Sequence, residues 1–186
     1  MHVTPSPPSP RLTSPPAPVA INSSRFDTAH VEQEWWAMND VHQFFGLLKR
    51  HGLPRQQAFR AVSNDLAYQV ENDALRVLLP RLEAAGNKIM IFVGNRSCIQ
   101  VFAGPVQKQA PMENWLNIFN PTFTLHLRED TIAESWVTRK PTRTGMVTSL
   151  ELFAADGAQI AQFNGQRTEG ESQQRHWRQH IAALGG

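Results

Sequence analysis

Seven histidines are the side chains of this sequence best suited to chemistry near neutral pH: His2, His30, His42, His51, His126, His176 and His180. An imidazole binds a metal or moves a proton in that range. No pair of them builds an H-E-x-x-H zinc motif. Cys98 is the single cysteine, so neither an internal disulfide nor a C-x-x-C pair is available. A reducing compartment suits that usage. The phosphate-cradling patterns G-x-G-x-x-G and G-x-x-x-x-G-K-[ST] are absent, as is the nucleophile elbow G-x-S-x-G. The formal net charge of +2 is too small to argue for a nucleic-acid surface. Generic motifs therefore leave no catalytic constellation, and the positions of the histidines have to be read from the elements that carry them.

The 186 residues suffice for one domain with a real core, and 41% of them are hydrophobic. No run is long enough to span a membrane, and no signal-peptide pattern opens the chain. Seven of the thirteen prolines fall before Ala20, so residues 1–24 read as a disordered tail and 25–186 as the domain. Helical spacing covers 25–38. Asp40 as N-cap with Gln43 three residues on suggests a capping box, followed by Val41, Phe44, Phe45 and Leu48 and closed by Gly52. His42 would then lie in the first turn of this helix, where the dipole favours a neutral ring. Pro54 opens a helix to about residue 62, a short strand is expected at 67–70, and a helix at 73–85 stops at Gly86.

After Gly86 the apolar period changes to two. Strands are expected at 88–93, 97–102, 106–109, 114–119, 122–127, 132–140, 146–153 and 158–163, and a helix at 171–184 closes the chain. Strand following strand implies antiparallel pairing. The expected class is α+β: N-terminal helices, a large antiparallel β-sheet and a C-terminal helix.

Several segments are more specific than any generic motif. They are DVHQFFGLLKRHGLPRQQAF, IMIFVGNRSCIQVFAG, WLNIFNPTFTLHLRED, IAESWVTRKPT, VTSLELFAADGAQIAQFNGQRTEGE and HWRQHIAAL. From Phe26 to Leu184 they resemble the C-terminal half of the HemS/ChuS/HmuS family of cytoplasmic haemin-handling proteins. That family has two homologous halves, and a related single-half group resembling ChuX forms dimers. The resemblance implies a haem (haemin) ligand, a cytoplasmic location, and a homodimer or a separate partner like the missing first half. No nucleic-acid partner and no membrane insertion are expected. Covalent attachment is not indicated, because C-x-x-C-H is absent.

The family's axial histidine falls in the segment matching DVHQFF, which makes His42 the implied ligand of the haem iron. The resemblance places Arg55, Lys140 and Arg167 on the propionates, where Arg offers a planar fork and Lys a point charge. Arg55 at a helix start is an unfavourable place for a cation, a cost that a carboxylate of the ligand would offset. Lys140, just before Pro141, reads as a side chain at a pocket rim. Phe92 and Gln162 match pocket positions. Asn164 stands where the family carries tyrosine. The first half's distal arginine has no clear replacement, and Arg128 or Arg139 would serve only from a second copy.

Three functions follow from the resemblance. One is haem binding for uptake, trafficking and iron utilisation. Another is oxidative opening of the porphyrin with an external electron donor, expected to be weak without the other half. The third is a truncated half that folds without a working site.

Overall fold

The computed structural model describes residues 27–94, 98–167 and 175–185. The expected tail at 1–24 and the first residues of the closing helix lie outside these.

Three short helices come first: α1 (Thr28–Trp36), α2 (Gln43–His51) and α3 (Arg55–Ala61). Strand β1 (Ala67–Val70) and helix α4 (Ala74–Ala85) follow. Eight strands come next: β2 (Lys88–Gly94), β3 (Ile99–Pro105), β4 (Lys108–Met112), β5 (Trp115–Asn120), β6 (Phe123–Arg128), β7 (Glu134–Thr142), β8 (Gly145–Phe153) and β9 (Gln159–Gly165). Helix α5 (Arg175–Ala182) closes the fold. The expected α+β class holds. Gly52 and Gly86 end α2 and α4 in the left-handed conformation, with φ of 62° and 63°.

The strands form two sheets rather than one continuous meander. Six lie in the order β1-β7-β8-β9-β2-β3, and β4-β5-β6 make a separate three-stranded sheet. Every pairing is antiparallel. The β2–β9 contact joins residues seventy or more positions apart, which local hairpin chemistry does not specify.

Strand alternation divides the six-stranded sheet into two faces. Ile89, Ile91, Phe102, Val137, Leu150, Leu152 and Phe163 face a core shared with α4, α5 and the smaller sheet. The opposite face carries Trp136, Thr138 and Lys140 on β7, Val147, Ser149 and Glu151 on β8, Gln162 and Asn164 on β9, and Met90 and Phe92 on β2. The register aligns Trp136, Glu151, Gln162 and Phe92 in one row. Helices α1–α3 cover this face only at its β7–β8 end, through a core built on Trp35, Phe44, Phe59, Trp136 and Phe153. The β9–β2–β3 end stays open. One-sided cover on an otherwise continuous sheet is what creates the cleft.

Candidate functional site

The cleft has a volume of about 1050 Å³, and His42, Arg55, Phe92, Lys140, Gln162 and Arg167 all line it. That is the upper end of the usual ~300–1,000 Å³ for small-molecule and cofactor sites. Six residues from two helix starts, three strands and the segment just after β9 thus meet in one concavity. Apolar wall is supplied by Phe45, Met90, Phe92, Ile99 and Ile160. Phe45 is 72% exposed, whereas its neighbour Phe44 is 1% exposed in the core against Trp35 and Phe59. One turn of helix therefore gives one phenylalanine to the core and the next to the cleft.

His42 stands one residue before α2, not inside its first turn. The reason is the turn that Asp40 makes. Asp40 Oδ1 accepts from the His42 backbone N–H at 2.8 Å, and helical hydrogen bonding begins only beyond it. Gln43 Oε1 accepts from the backbone N–H groups of Asn39 (2.9 Å) and Asp40 (3.3 Å), which is the return half of the expected capping box. The Asn39 carbonyl in turn accepts from Arg143 N–H in the β7–β8 turn at 3.0 Å.

The His42 ring also contacts Asp40, with Nδ1 2.7 Å from Oδ1. Hydrogen bonds from the His42 backbone and ring hold the Asp40 carboxyl below its usual range. An ionised carboxylate only accepts, so Nδ1 carries a proton, and in the neutral ring the lone pair then lies on Nε2. The ring is 91% exposed, and His42 lines the cleft. Among the described residues no group of three His, Cys, Asp or Glu could hold a bare metal ion. One imidazole is the right donor number for a metal that arrives with its own equatorial ligands.

The floor is a buried charge cluster around Glu151, which is fully buried. Its Oε1 accepts from Lys140 Nζ at 2.8 Å and from Thr138 Oγ1 at 2.8 Å. Its Oε2 accepts from Arg55 Nε at 3.1 Å and Gln159 Nε2 at 3.0 Å. Burial alone would raise the Glu151 carboxyl, but Arg55 and Lys140 outweigh it and pull it down to about 2. Lys140 is pushed below the ordinary lysine range by its burial, with Arg55 adding to the effect. Two cations against one carboxylate leave a single net positive charge beneath the cleft.

This geometry corrects two sequence expectations. Lys140 is not at a rim: it lies inside β7, 3% exposed, because its side chain points to the covered part of the sheet face. The carboxylate that offsets Arg55 at its helix start is the protein's own Glu151. The Arg55 bond uses Nε, which leaves the two terminal nitrogens for other acceptors. Arg128 pairs with Asp130, Arg139 lies over Tyr68, and neither is among the residues that line the cleft. Asn164 lines the cleft, and its Oδ1 accepts from Gln162 Nε2 at 3.3 Å. Asp40, Phe45 and Glu151 are the site residues that sequence reasoning missed. The D-x-H spacing of Asp40 and His42 was a usable signal for the first. Nothing local marks Glu151 as the partner of residues 96 and 11 positions away.

Fold and site together define an α+β domain with a one-sided, apolar-walled cleft over a cationic floor, and with one outward imidazole at its mouth. Residues 52–184 match the family described as the haemin-degrading HemS.ChuX domain, and the chain belongs to that family. His42 and Asp40 precede the matched span. The hemin transport protein HemS of Yersinia enterocolitica is 61% identical over 168 residues, 90% of this chain and 48% of its own length. The structure of the heme-degrading enzyme ChuS of Escherichia coli O157:H7 superposes with a TM-score of 0.84 at 65% identity, covering 86% of this chain and 48% of ChuS. PhuS, a heme-binding protein from Pseudomonas aeruginosa, gives a TM-score of 0.86 at 39% identity over 93% of this chain and 51% of its own. The chain thus spans about half the length of the relatives it matches.

Proposed function

We propose that this chain binds haem in the cleft, with His42 Nε2 as the iron ligand, and acts in cytoplasmic haem uptake and trafficking. The observation that carries this is the convergence of an exposed imidazole held at Nδ1 by Asp40, an apolar wall and excess cation in one cavity. Haem needs those three features together: an axial nitrogen, flat apolar surfaces, and cations for two carboxylates. When bound, haem supplies the iron and macrocycle on which electron and oxygen chemistry runs.

The chain's own residues divide the remaining work. Phe45 and Phe92 would offer apolar surface to the bound group and keep water from it. Arg55, through its terminal nitrogens, and Arg167 bind the propionates. Lys140 adds positive potential from below, with Glu151 fixing its position and that of Arg55. Gln162 and Asn164 would supply neutral polar contacts. The intact arrangement favours a working site over a remnant.

Haem degradation is the second reading, favoured by the 65% identity to the enzyme ChuS. It needs an external electron donor. Self-association of two copies would cover the open β3 end of the sheet, and light scattering at micromolar concentration tests it.

The main test is haemin titration of the wild type and His42→Ala, followed at the Soret band. Loss of affinity or a changed spectrum is the expected result. An unchanged band and affinity would overturn the assignment. His51→Ala and His126→Ala, both outside the cleft, serve as controls. Adding a reductant with catalase present, and watching for loss of the haem band, separates carrier from enzyme.

A further inference from the structure

We infer that Asp40 is a positioning residue for the iron ligand: its carboxylate holds the His42 ring and gives it imidazolate character. Nε2 then becomes a strong donor that favours the ferric state of bound haem. This rests on the reading of His42 as the axial ligand.

The geometry is built for the task. One oxygen, Asp40 Oδ1, takes both the His42 backbone N–H at 2.8 Å and the ring Nδ1–H at 2.7 Å. The carboxylate therefore cannot turn away from the ring without breaking the turn that starts α2. The turn is itself anchored, because Gln43 Oε1 holds the Asn39 and Asp40 N–H groups and the Asn39 carbonyl reaches Arg143.

The consequence is chemical. A histidine bound to a metal usually gives its second N–H to a carboxylate, a carbonyl or water, and that partner sets ring orientation and donor strength. A carboxylate is the strongest acceptor of the three, since its hydrogen bond is charge-assisted. Partial withdrawal of the Nδ1 proton raises electron density at Nε2. A more basic axial nitrogen stabilises Fe(III) over Fe(II) and lowers the reduction potential.

The effect should be silent in the free protein. His42 is 91% and Asp40 56% exposed, so water weakens the contact. A large apolar ligand on Nε2 removes that water, and the same hydrogen bond strengthens in the lower dielectric. The ring contact of Asp40 therefore acts on the complex, while its backbone contact in the turn is one that asparagine can keep.

The test uses the haemin complexes of wild type, Asp40→Asn and Asp40→Ala. Asparagine keeps an acceptor oxygen for the turn and removes only the charge. We expect the reduction potential to rise in Asp40→Asn and further in Asp40→Ala. The iron–histidine stretch of the reduced complex should fall in frequency, and haemin affinity should fall about tenfold or more. The urea midpoint of the haem-free Asp40→Asn protein should stay at the wild-type value. Equal potentials and stretches in all three proteins would overturn the inference. His42→Ala separates the two claims. If that variant's complex keeps the wild-type spectrum, the ligand assignment falls and Asp40 with it. If its spectrum changes while Asp40→Asn matches wild type, only the role of Asp40 falls.

Discussion

Replacing Glu151 with glutamine should destabilise the protein strongly at neutral pH and progressively less in acid. The carboxylate is fully buried and accepts from Lys140, Thr138, Arg55 and Gln159. Its pKa of about 2 lies below the ordinary 4.5. At about 1.36 kcal/mol per unit, that depression corresponds to roughly 3 kcal/mol of folding free energy. The sign follows from the depressed value. The contribution is fully present above the unfolded pKa, near 4.5, and is lost as pH falls from there towards 2. Removing one partner of a buried pair costs about 3–5 kcal/mol, because the other charge is left in low dielectric. Lys140, already pushed below the usual lysine range by burial, would be that stranded charge. Urea unfolding at pH 7 and near pH 2.5, followed by the buried Trp35, Trp136 and Trp177, measures both quantities. The expected difference between wild type and Glu151→Gln is about 3–5 kcal/mol at pH 7 and markedly smaller in acid. Pairing Glu151→Gln with Lys140→Met should recover part of the loss. A difference under about 1 kcal/mol at pH 7, or one that does not shrink in acid, would refute the electrostatic account.

Adjacent phenylalanines should separate fold from site. Phe44→Ala, in the core between Trp35 and Phe59, should cost about 3–5 kcal/mol of stability, while Phe45→Ala should cost under about 0.5 kcal/mol yet weaken haemin binding. Denaturation midpoints and haemin titrations of the two variants check this. Gly165→Ala should lower the melting temperature, because a Cβ there would lie 2.6 Å from Trp177, whose Nε1–H holds the Thr148 carbonyl at 2.9 Å. Overpacking of that kind costs about 1–3 kcal/mol. Arg167→Gln should weaken haemin by about 1–3 kcal/mol and leave haemin dimethyl ester, which has no carboxylates, unaffected. Equal losses for haemin and its ester would place Arg167 elsewhere than on the propionates.

What the sequence by itself determined is local or carried by resemblance. Helix ends at Gly52 and Gly86 were legible because only a residue without Cβ takes the left-handed cap cheaply. Strand 67–70 and most of the later strands were legible from alternation and turn residues. The set His42, Arg55, Phe92, Lys140, Gln162 and Arg167 came from family motifs, and all six meet in one cleft. The tertiary structure alone decided the rest. Hairpin signals say that neighbours pair, but they do not say that β9 returns beside β2 or that β4–β6 leave to form their own sheet. That choice depends on which faces bury the most apolar surface across the whole chain. It also decides charge. Lys140 reads as a solvated rim residue in sequence, since a lysine is rarely buried without a partner. Register puts Glu151 and Lys140 on the same face of adjacent strands and brings Arg55 over them from α3. The buried floor of the cleft therefore exists only once tertiary packing has brought Arg55 of α3 over the β7–β8 hairpin that carries Lys140 and Glu151.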